Sequence, residues 1–95
     1  MNNKKIWEIR EENDKQYHIK PDGSLAYEQQ FDIVWPFSEG LAKVKLDGKY
    51  FHIKPDGSPA YEQRFDWVDN FKNGSTAAEL NDKWFNIKSD GSRVD

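Results

Sequence analysis

The sequence predicts an all-β chain of tandem antiparallel β-hairpin repeats of about 34 residues, arranged as an open solenoid or a curled barrel-like sheet, with propeller-type blades as the alternative. Three observations lead there. The phrase Tyr17-His18-Ile19-Lys20-Pro21-Asp22-Gly23-Ser24 returns as Phe51-His52-Ile53-Lys54-Pro55-Asp56-Gly57-Ser58 and, eroded, as Phe85-Asn86-Ile87-Lys88-Ser89-Asp90-Gly91-Ser92. Ahead of the second copy, Leu41-Ala42-Lys43-Val44-Lys45-Leu46 alternates apolar and charged residues, the period of a half-buried strand. Asp47-Gly48 then supplies a two-residue hairpin signal, because a type I′ turn needs positive φ at both positions.

In the middle unit Lys49-Tyr50-Phe51-His52-Ile53 is the return strand. A two-residue loop sets Leu46 opposite Lys49, Val44 opposite Phe51 and Ala42 opposite Ile53, and opposed residues share a sheet face. Ala42, Val44, Phe51 and Ile53 thus form the apolar face; Lys43, Lys45, Tyr50 and His52 form the outward one. Lys54-Pro55-Asp56-Gly57 is a turn, with proline pre-setting φ and glycine free to go left-handed. A short strand over Ser58 to Tyr61 follows. Residues 62–68 then lead to the next unit as an extended segment with a bend, a single helical turn being the alternative. Gly40 and Gly74 re-enter the sheet through a positive φ or a bulge.

The third copy keeps the register: Asn81-Asp82 makes the turn, Ala78 faces Phe85 and Thr76 faces Ile87. In the first copy a two-residue turn at Asn13-Asp14 sets Arg10 against Tyr17 and Glu8 against Ile19, charges on what should be the core face. A three-residue loop, Glu12-Asn13-Asp14, instead brings Ile9 and Trp7 onto that face, and is the expectation. The whole chain, 1–95, reads as a single repeat domain with units at approximately 1–36, 37–70 and 71–95.

Composition narrows the function. Hydrophobic residues are 36% and aromatic residues 15%, so the core is thin and aromatic. One unit cannot offset its own ordering entropy, roughly 1–2 kcal/mol per residue, so copies must stack. Val34 with Val68, and Phe37 with Phe71, are the expected contacts between units. The net charge of −3 recommends neither nucleic acid nor an anionic membrane as partner. There is no apolar run long enough to span a bilayer, and no apolar stretch after Met1-Asn2-Asn3-Lys4-Lys5 to suggest a secretory signal, so a cytoplasmic address is the default. Cysteine is absent, which removes disulfides and thiolate metal sites.

Among candidate sites, His18 and His52 sit at equivalent places on the face away from the core. A zinc pair completed by Glu28, Glu62 or an aspartate competes there with solvated or hydrogen-bonded histidines, and the ligand spacing favours the latter. Asp22, Asp56 and Asp90 each stand alone in a turn, where calcium would need several carboxylates in one loop. Neither a metal nor another cofactor is expected. Tyr50 and Trp84 share the outer face, with Gln16 at the matching place; Tyr27 and Tyr61 recur, and Trp35 and Trp67 lie in the linking segments. Aligned aromatics can form a platform for sugars, a cage for quaternary ammonium, or packing beneath the linkers. No nucleophile motif, Walker loop or convergent constellation is present, so a catalytic role is not expected.

The stretch Phe37-Ser38-Glu39-Gly40-Leu41-Ala42-Lys43-Val44, then Gly48-Lys49-Tyr50-Phe51-His52-Ile53, Asp56-Gly57, Phe65-Asp66-Trp67-Val68 and Phe71 resembles the WG-repeat family. The Trp-Gly dipeptide itself is replaced by Tyr50-Phe51 and Trp84-Phe85, so a side chain fills the space that glycine leaves. The resemblance implies tandem β-hairpins in a bacterial or phage-like protein, an interaction or structural module with no shared catalytic residue. A weaker likeness, in residues 82–92, is to choline- and glucan-binding cell-wall repeats. Three functions follow as expectations: a protein-interaction or structural module, with self-association as a homodimer; a carbohydrate or choline-type binder using Tyr50, Trp84, Trp67 and Tyr61; and a small protein inhibitor acting through acidic residues such as Glu28 and Glu62.

Overall fold

Asp47 and Gly48 both take positive φ (53° and 81°), as do Asn81 and Asp82 (54° and 67°). Each pair closes a two-residue turn whose twist matches the flanking strands, and the hairpins follow from it. The computed structural model describes residues 6–94. The N-terminal residues 1–5, on which the reading of the leader rests, lie outside the described residues, as does Asp95. Among those described, three antiparallel sheets follow one another along the chain and none closes into a barrel. The first pairs β1 (Glu8–Glu12) with β2 (Lys15–Ile19). The second orders β3 (Ile33–Ser38), β4 (Leu41–Leu46) and β5 (Lys49–Ile53). The third orders β6 (Trp67–Val68), β7 (Ser75–Leu80), β8 (Lys83–Lys88) and β9 (Arg93–Val94).

The middle and last hairpins have the expected registers: Val44 opposes Phe51 and Ala42 opposes Ile53; Ala78 opposes Phe85 and Thr76 opposes Ile87. Gly40 and Gly74 follow Glu39 and Asn73, and all four have positive φ; β3 carries a bulge between Val34 and Phe37. The Lys54–Gly57 turn is closed by the Gly57 N–H donating to the Lys54 carbonyl at 2.8 Å. Each Asp in these turns accepts from the serine two residues on, through both its N–H and its hydroxyl. Turn chemistry thus occupies Asp22, Asp56 and Asp90. The expected strand over Ser58 to Tyr61 is reduced to a single bridge, Ile53 with Pro59, as in the first copy, where Ile19 bridges Leu25.

The first hairpin departs from expectation. Asn13 (φ 55°) and Asp14 (φ 64°) form a two-residue turn, so Arg10 opposes Tyr17 and Glu8 opposes Ile19. The cost that argued against this register never arises, because every residue of β1 is exposed. Charges opposite a core face are tolerated when nothing covers them, and the local preference of Asn-Asp for left-handed backbone decides. Asp14→Gly should therefore stabilise the chain by about 1 kcal/mol, since glycine escapes the left-handed penalty; an unchanged or lowered urea midpoint would contradict this turn.

A single aromatic-rich core runs through the units, from Tyr17 and Ile19 through Phe31, Val34, Val44, Phe51 and Ile53 to Phe65, Val68, Phe71 and Ile87. Successive units are also tied by polar contacts. The Ser38 hydroxyl donates to the Phe71 carbonyl, and the Glu39 carboxylate accepts the N–H groups of Asn73 and Gly74. The described residues span 45 × 31 × 16 Å, a thin slab consistent with stacked sheets.

Candidate functional site

The linking segments fold over the face that the strand pattern marks as outward, and this changes the standing of several residues. Phe37 and Phe71 cover His18 and His52, with ring centroids 4.6 Å apart in each pair. Both histidines are buried, and so are Lys43, Tyr27 and Tyr61. His18 and His52 are therefore covered, a correction to their outward assignment, and Tyr27 and Tyr61 are buried with them. Alternation separates two faces but cannot tell that a segment some 17 residues downstream returns to cover the second.

Each histidine is tied into a pair. His18 Nδ1 lies 2.5 Å from the Tyr27 hydroxyl and its Nε2 lies 2.9 Å from the Trp35 carbonyl; His52 repeats this with Tyr61 (2.6 Å) and the Asp69 carbonyl (2.8 Å). A carbonyl only accepts, so Nε2 carries the proton and donates. Nδ1 is then the acceptor and the tyrosine hydroxyl donates to it. Burial pushes the His18 imidazole below its ordinary value. Burial also holds His52 at about 4; the Asp69 carbonyl opposes that shift and the Lys43 charge reinforces it. The Tyr27 and Tyr61 hydroxyls are raised, again by burial. The pairing was readable from the nine-residue spacing His18–Tyr27 and His52–Tyr61, and from the third copy, where Asn86 and Asp95 replace both members together.

Trp35, Tyr50 and Trp67 do converge. Trp35 and Tyr50 lie 6.0 Å apart and Tyr50 and Trp67 4.8 Å apart by ring centroids. The ammonium of Lys43 sits between them, 3.5 Å from the Trp67 ring, 4.4 Å from Trp35 and 5.7 Å from Tyr50. Burial lowers the Lys43 pKa, with the Asp69 carboxylate opposing. The aromatic cage is thus built around the chain's own cation, a role hidden in the sequence because Lys43 reads as a solvated strand residue. The other copies carry Ile9 and Ala77 there. Lys43→Met keeps the aliphatic filling but loses the cation–π contacts, and should lower stability by about 1–2 kcal/mol, read from thermal unfolding.

Trp84 stands apart from this cluster, 57% exposed on the last hairpin. On the opposite face of that hairpin lies a groove of about 620 Å³ lined by Gln63, Phe65, Leu80, Lys83, Phe85 and Arg93, among others. Sequence reasoning singled out Trp84 but not this groove. Among the described residues no three His, Asp or Glu side chains converge in a way that could hold a metal, and no helix is long and apolar enough to cross a membrane.

The sequence model of the WG containing repeat matches residues 19–50 and again 53–84. The chain belongs to the WG-repeat family. The two matched spans begin 34 residues apart, the offset of the repeated phrase. No curated protein and no solved structure matches the chain. As a WG-repeat chain it is a repeat module, and the departure from Trp-Gly has a visible consequence. Phe51 and Phe85, where the family has glycine, fill the core against Phe31 and Phe65 at centroid distances of 6.1 and 5.9 Å.

Proposed function

We propose that the chain is a non-catalytic protein-interaction module that engages a protein partner, or a second copy as a homodimer, through the exposed apolar side chains of its first and last described hairpins. The observation that carries this is the distribution of exposed apolar side chains. Of the five large ones among the described residues, Ile6 and Ile9 lie at the first hairpin and Trp84 and Val94 at the last; Leu25 is the fifth. Scattered single apolar residues are ordinary, whereas clusters at exposed sheet ends favour association. The polar groups that could suggest chemistry have structural occupations: the histidines bond tyrosines, the turn aspartates bond serines, and Lys43 fills the aromatic cage. These occupations favour a module without catalysis or cofactor. They also weaken the choline-type reading, because an external cation would compete with a tethered one, and the carbohydrate reading, because Lys43 already sits against the Trp35, Tyr50 and Trp67 rings.

Affinity capture from the native source, with light scattering of the purified chain, tests the proposal. A partner or a dimer lost in the Ile9→Ser, Trp84→Ser double variant supports it. A strict monomer that captures nothing at high concentration refutes it.

A further inference from the structure

The segments that follow the first two hairpins are near copies, Tyr27-Glu28-Gln29-Gln30-Phe31-Asp32 and Tyr61-Glu62-Gln63-Arg64-Phe65-Asp66. Their backbones are tied alike. Gln16 and Phe31 exchange two hydrogen bonds at 2.7 and 3.0 Å, Tyr50 and Phe65 the same two at 2.8 and 2.9 Å, and the Ala26 and Ala60 N–H groups donate to the His18 and His52 carbonyls. One side chain differs in kind. In the second copy Arg64 turns back along its own segment, and its Nη1 donates to the carbonyls of Tyr61, Glu62 and Gln63 at 3.2, 3.1 and 3.2 Å. Its guanidinium also lies 3.8 Å over the Phe51 ring. Three carbonyls and an aromatic face thus make a socket for one guanidinium.

The first copy has the same segment without the arginine. Gln30 stands in the place of Arg64, is exposed, and its side chain bonds nothing among the described residues. The Tyr27, Glu28 and Gln29 carbonyls receive no donor among the described residues. Tyr17 stands in the place of Phe51. Arg10 opposes Tyr17 across the hairpin, but its guanidinium bonds Glu8 at 3.5 Å. On the last hairpin the equivalent ring, Phe85, carries the Arg93 guanidinium at 4.0 Å. Two of the three equivalent rings are therefore stacked under an arginine of this chain, and Tyr17 is not. The first copy also gains an acceptor. Where the second copy has Leu46 it has Glu12, whose carboxylate accepts the Tyr17 hydroxyl at 3.1 Å.

We infer that this first-copy socket takes an arginine side chain presented by a protein partner. The incoming guanidinium displaces the untethered Gln30 side chain and stacks on the Tyr17 ring, which is otherwise buried. It donates to the Tyr27, Glu28 and Gln29 carbonyls and meets the Glu12 carboxylate, a charge-assisted contact that Arg64 lacks in the second copy. Arginine suits the socket better than lysine, because a planar guanidinium stacks and donates at once. The inference rests on the interaction reading and names the partner's chemistry, an arginine-bearing surface that complements a chain of net charge −3. A second copy of this chain fits poorly, because Arg10, Arg64 and Arg93 are already engaged on Glu8, Phe51 and Phe85.

The probe is the peptide acetyl-Gly-Arg-Gly-amide, titrated into the full chain and followed by amide NMR. Shifts should move and saturate at Tyr17 and at Tyr27 to Gln30. The same peptide with lysine for arginine should bind more weakly, and Glu12→Gln in the protein should weaken the arginine peptide by about threefold. Gln30→Arg should abolish binding and raise the urea midpoint, because the chain then fills this socket as Arg64 fills the other. No shift at about 10 mM peptide, equal binding of the lysine peptide, shifts confined to another face, or binding unchanged in Gln30→Arg would overturn the inference. A captured partner retained by both Gln30→Arg and Glu12→Gln would leave the interaction reading standing and remove this socket.

Discussion

Replacing Gly57 with alanine should destabilise the chain by about 3 kcal/mol, while the same change at Gly23 should cost only about 1 kcal/mol. The two glycines occupy the same turn of successive copies with nearly the same backbone, φ 87° and 90°. The left-handed penalty, roughly 1–2 kcal/mol less the gain from a stiffer unfolded chain, is therefore common to both. Their surroundings differ. A Cβ on Gly23 would meet nothing within 4 Å, whereas one on Gly57 would lie 2.6 Å from Tyr27 Cβ and Cγ and from Gln29 Oε1. Tyr27 is buried and held by His18, so it cannot swing aside cheaply, and forced overpacking adds about 1–3 kcal/mol. Gly91 repeats the arrangement against Tyr61 and Gln63 and should behave like Gly57. Urea denaturation of the three variants decides the matter: equal losses at positions 23 and 57 would mean that tyrosine-on-glycine seating does not hold neighbouring units together.

That seating shows which parts of the fold a sequence can reveal. The Asp47-Gly48 and Asn81-Asp82 turns are local, and with two-residue loops they impose the whole register of their hairpins. The same reasoning failed at Asn13-Asp14 because it assumed that a strand opposite Tyr17 and Ile19 must be covered. Glu8 and Arg10 stay in solvent, so the hydrophobic pattern carried no penalty there. Coverage was also the missing quantity for His18, His52 and Lys43. It comes from Trp35, Phe37, Trp67 and Phe71, which approach only after the linking segments have bent back. On the third hairpin Asn86, in the histidine's place, is exposed, as alternation alone would have it. Of the candidate surface, Trp84 was legible as an outer-face aromatic. The groove on the opposite face was not, since it exists only through Phe65 of the preceding unit meeting Leu80 and Phe85.

Acidification should unfold this chain earlier than its carboxylates alone require. His52 titrates at about 4 in the folded chain, against an ordinary 6.5. Between those values the unfolded chain binds more protons than the folded one. Stability is therefore complete above about pH 6.5 and falls as the pH drops toward 4. The gap corresponds to about 3 kcal/mol at one site, a large share of the 5–15 kcal/mol typical of a domain. His18 acts in the same direction. The structural reason is the fixed tautomer. A proton arriving on Nδ1 would meet the tyrosine Oη that now donates to it, and that hydroxyl would have to turn its hydrogen into an apolar interior. The lowered carboxylates, Asp22, Asp56 and Asp90 on their serines and Asp32 and Asp66 on their lysines, also favour the folded state, but their contribution is lost only below the ordinary range near 3.8. Tyr27 and Tyr61, raised by burial, cost stability only above about pH 10. Urea midpoints across a pH series should then show a limb between 6.5 and 4 that flattens in the His18→Asn, His52→Asn double variant, the residue the third copy uses. Tyr61→Phe should leave Nδ1 of His52 without a donor, lower neutral-pH stability by about 1–3 kcal/mol and shorten the limb, because an unclaimed Nδ1 accepts a proton more readily. A stability curve flat from pH 7 to 4.5 in the wild-type chain would show that the buried pairs do not couple folding to protonation.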